Sequence, residues 1–163
     1  MGRYKIRDQQ AAYYLTLQIV KWIDLFTRDA YRQIVMNSLA YCQKEKGLEI
    51  FAWVLMSNHL HLIARSEQED LSGILRDFKS YTSKEIIKRV QEGPESRRDW
   101  MLNLFEFEAK KHQRNSDYQV WTHENHAVEL FSNEFIWQKL DYLHNNPVRN
   151  GIVKEPWEYR YTS

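Results

Sequence analysis

The sequence predicts an α+β fold, with helices packed on one face of an antiparallel β-sheet. Three observations lead to this class. β-prone runs and helical patterns alternate in the order strand, helix, strand, strand, helix. Only the segment from Met56 to Asn58 separates the two middle strands, which is typical of a hairpin. Gly47, Gly93-Pro94 and Pro147 follow long helical patterns, and such residues end helices.

The individual elements follow from local residue patterns. β-branched and aromatic residues predict strands at Ala12–Val20, Leu48–Leu55 and His59–Arg65, with shorter runs at Tyr118–Trp121 and Ala127–Phe131. Apolar spacing and capping residues predict helices at Arg28–Lys46, Leu71–Val90 and Trp100–Lys111, and a last one from Ser132 or Asn133 to His144. Residues 1–11 are polar and basic, so we expect a loose N-terminal arm.

Composition limits the classes of protein to which the chain can belong. The 163 residues, 43% of them hydrophobic, predict one packed domain over residues 1–163. The net charge of +1 means that a nucleic-acid surface would need local clustering of basic residues. Cys42 is the only cysteine, which excludes an internal disulfide and a cysteine-based zinc site. No run approaches the roughly 18 apolar residues of a membrane span, so we expect a soluble, cytoplasmic protein without a membrane partner.

The pattern most closely tied to chemistry is His59-Leu60-His61 in the second strand of the hairpin. A strand places residues i and i+2 on one face, so the two imidazoles are expected side by side, with Leu60 and Leu62 on the other face. Two adjacent imidazoles supply two ligands of a small metal site. The alternative is a pair of half-buried histidines that bond to the backbone.

The second helix is predicted to complete this site. Ile74, Phe78, Tyr81 and Glu85 follow one another at +4, +3 and +4, so they would line one side of its apolar face. A carboxylate there needs a partner, because an unpaired buried charge is unfavourable. We therefore expect Glu85 to join the two histidines in a three-ligand site for Mg²⁺ or Mn²⁺. Tyr81 would stand beside that ion as the candidate nucleophile.

Each of these residues also has a simpler interpretation. The Glu85 carboxylate could instead point into water or pair with Arg89 one turn later. Tyr81 could instead be a core tyrosine whose hydroxyl lies at the rim of the core. A second polar cluster, His123 to His126, has His-x-x-His spacing but no cysteine and no helix around it. We interpret it as a loop that faces solvent or contacts DNA.

Basic residues are concentrated on the second helix. We assign four of them to nucleic-acid binding, as a phosphate track beside the site: Arg76, Lys79, Lys84 and Lys88. An ordinary solvated helix face is the alternative.

Together these segments resemble the single-tyrosine HUH transposases, the IS200-like family, and more closely their REP-associated tyrosine transposases. The resemblance spans residues 12–163 and rests on three motifs and the tail: Met56-Ser57-Asn58-His59-Leu60-His61-Leu62-Ile63, Phe78-Lys79-Ser80-Tyr81-Thr82, Tyr142-Leu143-His144-Asn145-Asn146-Pro147-Val148-Arg149-Asn150-Gly151-Ile152-Val153, and Tyr159-Arg160-Tyr161-Thr162-Ser163. His59 and His61 match the metal histidines of the family, and we match Tyr81 to its tyrosine. The family often has Asn or Gln four residues after that tyrosine, where this chain has Glu85.

The resemblance implies a ferredoxin-like (RRM-like) sheet of the HUH-endonuclease type. It also implies a DNA transposase that cuts single-stranded or hairpin DNA, leaving a 5′-phosphotyrosine link and a free 3′-OH. Two other functions stay open: a non-catalytic single-stranded nucleic-acid-binding module, and a metal-dependent phosphodiesterase that uses water, with Tyr81 only structural. The sequence leaves both a monomer and a homodimer open, and it does not identify the DNA sequence that is recognised.

Overall fold

The chain folds into a four-stranded antiparallel sheet with the strand order β2-β3-β1-β4. A computed structural model describes residues 4–112 and 116–163. The strands are β1 (Tyr13–Gln18), β2 (Leu48–Leu55), β3 (His59–Ser66) and β4 (Val128–Glu129). The α-helices in the described residues are α1 (Asp29–Glu45), α2 (Leu71–Glu92), α3 (Arg98–Lys111), α4 (Asn133–His144) and α5 (Asn146–Arg149). Short 3-10 turns lie at Val20–Trp22, Leu25–Thr27 and Pro156–Glu158.

This topology confirms the predicted α+β, ferredoxin-like class. The order β1-α1-β2-β3-α2-β4, with α3 inserted between α2 and β4, is a split βαβ arrangement with β1 and β3 in the centre of the sheet. One detail differs from the prediction, because helices cover both faces of the sheet. The α1 and α2 side buries Leu15, Leu60 and Leu62, whereas α4 packs through Leu143 against the opposite face.

Local capping explains several of the helix boundaries. The side chain of Asp70 accepts a hydrogen bond from Gly73 N at the start of α2, and Ser132 accepts one from Phe135 N at the start of α4. Helix α1 has Arg28 as its N-cap without a side-chain cap bond, and the neighbouring Thr27 hydroxyl donates to Asp24 O. Gly47 follows α1 with a φ of 71°, in the left-handed region that glycine tolerates.

The region near Pro147 also differs from the prediction. Helix α4 ends at His144 as expected, but the short helix α5 begins at Asn146 with Pro147 in its first turn. Proline is tolerated there because the first amides of a helix need no internal acceptor. This junction keeps the segment from Tyr142 to Arg149 compact.

The segment before α4 forms less strand than predicted. Only Val128–Glu129 pairs with β1, and Trp121 forms an isolated bridge with Ile19. Between these points the chain leaves the sheet, although Asn125 O still accepts a hydrogen bond from Thr16 N. The loop from 122 to 126 therefore lies along the edge of β1.

The two ends of the chain are attached to the sheet region. Residues 1–3 of the predicted arm lie outside the described residues; residues 4–11 contain no helix or strand, but Tyr4 O accepts from Ala127 N. At the other end, Tyr161 O accepts from Leu55 N and Ser163 N donates to Trp53 O. The tail thus covers the outer edge of β2. Within the described residues, no helix combines the length and apolar character needed to cross a membrane.

Candidate active site

The two histidines lie side by side on β3, as predicted. His59 is opposite Gln18 and His61 is opposite Thr16 in the pairing of β3 with β1. Directly opposed residues of antiparallel strands share a face. The ring centroids of His59 and His61 are 4.6 Å apart. The pair therefore forms one compact patch in the centre of the sheet.

Hydrogen bonds at Nδ1 orient both rings. His59 Nδ1 donates to Asn58 Oδ1 over 2.7 Å. His61 Nδ1 is in hydrogen-bond contact with Thr16 Oγ1 at 3.1 Å. Such bonds at one ring nitrogen orient the other nitrogen towards a metal ion. Nε2 of each ring is accordingly the atom suited to a ligand.

Both imidazoles are neutral at pH 7. Burial lowers the pKa of His59 to about 4. Burial, together with the charge of His59, lowers the pKa of His61 to about 3. Neutral imidazole is the form that binds a metal ion. The pair thus has the protonation state and the geometry of two metal ligands.

The prediction that the histidines face the helix carrying Tyr81 is wrong. Helix α2 packs Ile74 and Phe78 into the cluster that contains Leu60 and Leu62. Those leucines alternate with His59 and His61 along β3, so the histidines lie on the other side of the sheet. The apolar face of α2 packs against the leucine face of β3 because this contact buries apolar surface. Helix α4 packs against the opposite face of the sheet.

Tyr81 and Glu85 accordingly lie away from the histidines within this chain. The buried stripe of α2 runs through Ile74, Phe78, Thr82 and Ile86. Tyr81 lies beside that stripe, is 58% exposed, and lines a groove between α1 and α2. Glu85 lines a second groove in the same region together with Lys88 and Arg89. Glu85 is partly buried there, on the same groove as Arg89.

The predicted three-ligand site of His59, His61 and Glu85 is thus not assembled in one chain. Among residues 4–112 and 116–163, no three side chains of His, Cys, Asp or Glu are grouped so that they could hold a metal ion. The physical reason is the orientation of α2 about its own axis. Thr82, four residues after Phe78, lies on the buried side of the helix, whereas Tyr81, three residues after Phe78, lies beside that side.

A different tyrosine lies on the histidine face. Tyr142 belongs to α4, and its ring centroid is 6.0 Å from that of Tyr14. The Tyr14 ring is in turn 5.2 Å from the ring of His61. Tyr142 is 47% exposed, so a ligand can reach it. Sequence reasoning did not single out Tyr142 as a site residue, although the segment from Tyr142 to Pro147 was part of the resemblance.

Two cations lie beside Tyr142. The guanidinium carbon of Arg149 is 3.8 Å from the centroid of the Tyr142 ring, and Arg149 Nη2 donates to Tyr142 O over 2.7 Å. Lys139 Nζ is 5.3 Å from the same centroid and 5.1 Å from that of Tyr14. Cations over aromatic faces are held by the negative potential of the ring. The histidine face therefore has positive charge next to an exposed phenol.

Tyr14 adds a polar atom to this patch. Its hydroxyl is buried and has no hydrogen-bond partner among the residues that the structure describes. Burial raises the pKa of Tyr14, so the hydroxyl stays protonated. A buried donor without a partner is costly. This hydroxyl, between His61 and Tyr142, is suited to donate to a ligand on the histidine face.

The basic residues predicted to bind DNA lie on α2, on the other side of the sheet. Arg76 is largely exposed, with Asp77 Oδ1 3.3 Å from its Nε, and Lys84 and Lys88 are exposed as well. Lys79 has a structural contact, because its Nζ donates to Thr122 O over 2.8 Å. A phosphate track beside the histidines therefore does not run along this helix; contact of these residues with DNA elsewhere stays a prediction.

Comparison with known proteins now decides the family. Residues 11–132 match the family described as "Transposase IS200 like". The chain belongs to the IS200-like transposase family. The matched part of this IS200-like transposase contains His59 and His61 and ends before α4. The resemblance inferred from the sequence is thus confirmed.

One solved structure supports the fold, and a second is reported for comparison only. The structure of a REP-associated tyrosine transposase bound to a REP hairpin superimposes with a TM-score of 0.68 at 16% identity, covering 99% of this chain and 82% of that chain. A Deinococcus radiodurans protein assigned as a transposase gives a TM-score of 0.45 at 16% identity, covering 89% of this chain and 95% of that one. No curated protein matches the sequence.

Proposed function

We propose that this IS200-like transposase cuts and rejoins single-stranded or hairpin DNA through a covalent tyrosine intermediate, with Tyr142 as the nucleophile. The observation that carries the proposal is the position of Tyr142 on the face that bears His59 and His61. Tyr81, matched to the family tyrosine from the sequence, lies on a helix that covers the opposite face.

The spacing after Tyr142 supports this assignment. The resemblance implies Asn or Gln four residues after the tyrosine, and Asn146 is four residues after Tyr142, whereas Glu85 follows Tyr81. Asn146 is buried, and its Oδ1 accepts from Asn150 Nδ2 over 2.7 Å. Its amide oxygen is a hard ligand of the kind that Mg²⁺ and Mn²⁺ accept.

The donor set fits a divalent ion. His59 and His61 are neutral, and hydrogen bonds at Nδ1 leave Nε2 for coordination. We assign these two residues as ligands of Mg²⁺ or Mn²⁺, with Asn146 as the third candidate in place of Glu85. When bound, such an ion supplies Lewis-acid stabilisation of charge on the scissile phosphate.

The side chains near Tyr142 have defined roles in this scheme. Tyr142 Oη forms a bond to phosphorus while the bond from phosphorus to the 3′-oxygen breaks, and the phenol loses its proton as the 3′-oxygen gains one. Arg149 and Lys139 place positive charge where the phosphate would bind, which stabilises the negative transition state. The phosphotyrosine ester keeps the phosphodiester energy, so a later 3′-OH can reverse the step on another strand.

The likeness to a hairpin-bound transposase supports the choice of DNA. That protein was solved with a REP hairpin, and we extend single-stranded or hairpin DNA to this chain on the basis of family and fold. Monomer and homodimer arrangements are both compatible with the proposal, because Tyr142 and the histidines already share one face of one chain.

The test is a denaturing gel of protein incubated with end-labelled hairpin DNA and Mn²⁺. Wild-type protein should form an SDS-resistant adduct, and Tyr142→Phe should reduce it by at least about 100-fold, because a covalent step cannot proceed without its nucleophile. Tyr81→Phe is the matched control and should keep the adduct.

Other outcomes identify the rival functions. An adduct that survives Tyr142→Phe but disappears with Tyr81→Phe would show that Tyr81, and not Tyr142, is the nucleophile. Cleavage without any adduct would indicate a phosphodiesterase that uses water. Binding without cleavage by the wild-type protein would indicate a non-catalytic binding module.

A further inference from the structure

A pocket of about 420 Å³ lies beside the end of β1, apart from the residues assigned to catalysis. The 3-10 turn at Val20–Trp22, the C-terminal part of α3 and the chain from 119 to 126 enclose it. Its size is within the usual range for small-ligand pockets, roughly 300–1,000 Å³. Gln18 also lines it, and Gln18 pairs with His59 in the sheet. The pocket is therefore a direct neighbour of the catalytic face.

The pocket contains buried acceptor atoms that lack partners. Within the described residues, no hydrogen bond reaches Glu108 Oε1, Gln119 Oε1 or Thr122 Oγ1. A buried polar group without a hydrogen-bond partner is unfavourable. The concentration of these acceptors at one pocket indicates a ligand that brings hydrogen-bond donors.

The carboxylate of Glu108 is the strongest of these acceptors. Its side chain is only 7% exposed. Lys21 Nζ is 3.6 Å from its Oε1 and His112 Nε2 is 3.8 Å from its Oε2, both longer than a hydrogen bond. The Lys21 side chain is half exposed. The ammonium group beside the carboxylate disfavours a bound cation, so a neutral donor with two adjacent N–H groups suits the site better.

The rim carries an exposed aromatic ring on a strained backbone. Trp22 is 66% exposed and has a φ of 56°, and the adjacent Lys21 has a φ of 55°. His126, across the pocket, has a φ of 42°. Non-glycine residues in this region of backbone conformation are uncommon and tend to occur at functional sites. The strain holds an exposed indole at the pocket mouth.

The opposite wall is held in place by several hydrogen bonds. Lys79 Nζ donates to Thr122 O over 2.8 Å and to Glu124 O over 3.3 Å, which attaches the loop to α2. Gln119 Nε2 donates to Trp121 O over 2.9 Å. This bond directs the Gln119 amide and leaves Oε1 as its acceptor. The pocket is thus pre-organised, which lowers the entropic cost of binding.

We propose that this pocket binds one unpaired guanine of the DNA substrate, a statement that rests on the proposed function. Trp22 would stack on the base, as aromatic side chains do with unpaired bases. Guanine presents two adjacent donors, N1–H and N2–H₂, to the carboxylate of Glu108, and Lys21 can donate to O6. Adenine, cytosine and thymine lack two adjacent donors on that edge. Guanine is therefore the base that Glu108 and Lys21 select.

The test measures binding of short single-stranded DNA to Tyr142→Phe protein, so that no cleavage interferes. An oligothymidylate with one central guanine should bind about tenfold more tightly than the same strand with hypoxanthine, which lacks only the 2-amino group. Adenine, cytosine or thymine at that position should bind no better than hypoxanthine. Equal affinities for guanine and hypoxanthine would overturn the proposal.

Protein variants provide an independent check. Thr122→Val removes a hydroxyl without a partner, so it should leave the melting temperature unchanged or raised while it weakens guanine binding. Trp22→Ala should weaken binding of all the strands, whereas Trp157→Ala, which removes another exposed tryptophan, should not. Glu108→Gln should abolish the difference between guanine and hypoxanthine. Preserved guanine preference in Glu108→Gln would refute the role of the carboxylate.

The two proposals fail in different ways. If the wild-type protein forms the tyrosine adduct but shows no preference for guanine, the pocket assignment is wrong and the proposed function stands. If the preference is present and no adduct forms, the pocket assignment stands and the proposed function is wrong.

Discussion

Glu95 shows how single residues keep a buried charge in this fold. Its carboxylate accepts from Arg97 Nε over 3.0 Å and from the Tyr31 hydroxyl over 2.8 Å, and Arg28 Nε lies 3.3 Å away. Burial alone would raise the pKa of Glu95, but these partners outweigh it and lower the pKa to about 2. The cluster joins α1 to the segment that precedes α3.

The pH dependence of stability follows from this shift. Because the pKa of Glu95 is lower in the folded chain than its ordinary value of 4.5, its stabilisation is present above that value and is lost as the pH falls towards 2. Glu95→Gln should cost about 3 kcal/mol of unfolding free energy at pH 7, and less as acid protonates the wild type. Urea unfolding between pH 7 and pH 3 measures this.

A control variant shows whether the loss of stability requires a buried carboxylate. Glu45→Gln alters an exposed carboxylate 3.9 Å from Lys44 and should change stability little at any pH. A constant difference between Glu95→Gln and wild type across the pH range would contradict the proposed cause.

At the scale of elements, α2 and α4 have similar N-terminal caps but pack on opposite faces of the sheet. Asp70 caps α2 and Ser132 caps α4 by accepting from Gly73 N and Phe135 N. Helix α2 stabilises the core on the side of Leu60, whereas α4 carries Tyr142 on the face of the sheet that bears the histidines. Loss of either cap should have the same thermodynamic cost and different functional cost.

A pair of cap variants tests this division. Asp70→Ala and Ser132→Ala should each destabilise the protein by about 1 kcal/mol, as measured by chemical unfolding. Only Ser132→Ala should also slow adduct formation with hairpin DNA, because fraying of α4 displaces the segment that carries Tyr142. Equal loss of adduct formation in both variants would show that the effect is one of general stability.

At the scale of the whole molecule, the C-terminal segment completes the sheet. Thr162 forms a bridge with Val54, Tyr161 O and Ser163 N bond to β2, and the Tyr159 hydroxyl donates to Leu55 O over 2.5 Å. An uncovered edge strand is a template for pairing with another chain. The segment therefore protects β2 from edge-to-edge association.

Removal of residues 159–163 should expose that edge. The loss of these hydrogen bonds predicts a decrease in stability of roughly 3 kcal/mol and concentration-dependent association in light scattering. Tyr159→Phe, which removes one bond and keeps the edge covered, should lose about 1 kcal/mol and stay dispersed. A truncated protein that stays monodisperse at high concentration would contradict this role.

The sequence by itself determined the local elements and the pairing of His59 with His61. The hairpin of β2 and β3, the helices α1, α2 and α4, and the cap at Ser132 depend on residues a few positions apart. Patterns of period 2 and 3.6 act over such distances and are visible in any stretch of chain. The family resemblance was accessible for the same reason, since its motifs are short and contiguous.

Only the tertiary structure decided which helix meets the histidines. A strand pattern states that two side chains share a face, but not which of several apolar helices covers that face. Helices α1 and α2 pack against the leucine side of β3. Helix α4, more than 60 residues further along the chain, packs against the other side. The separation of Tyr142 from His61 is set by that packing, which minimises exposed apolar surface over the whole molecule.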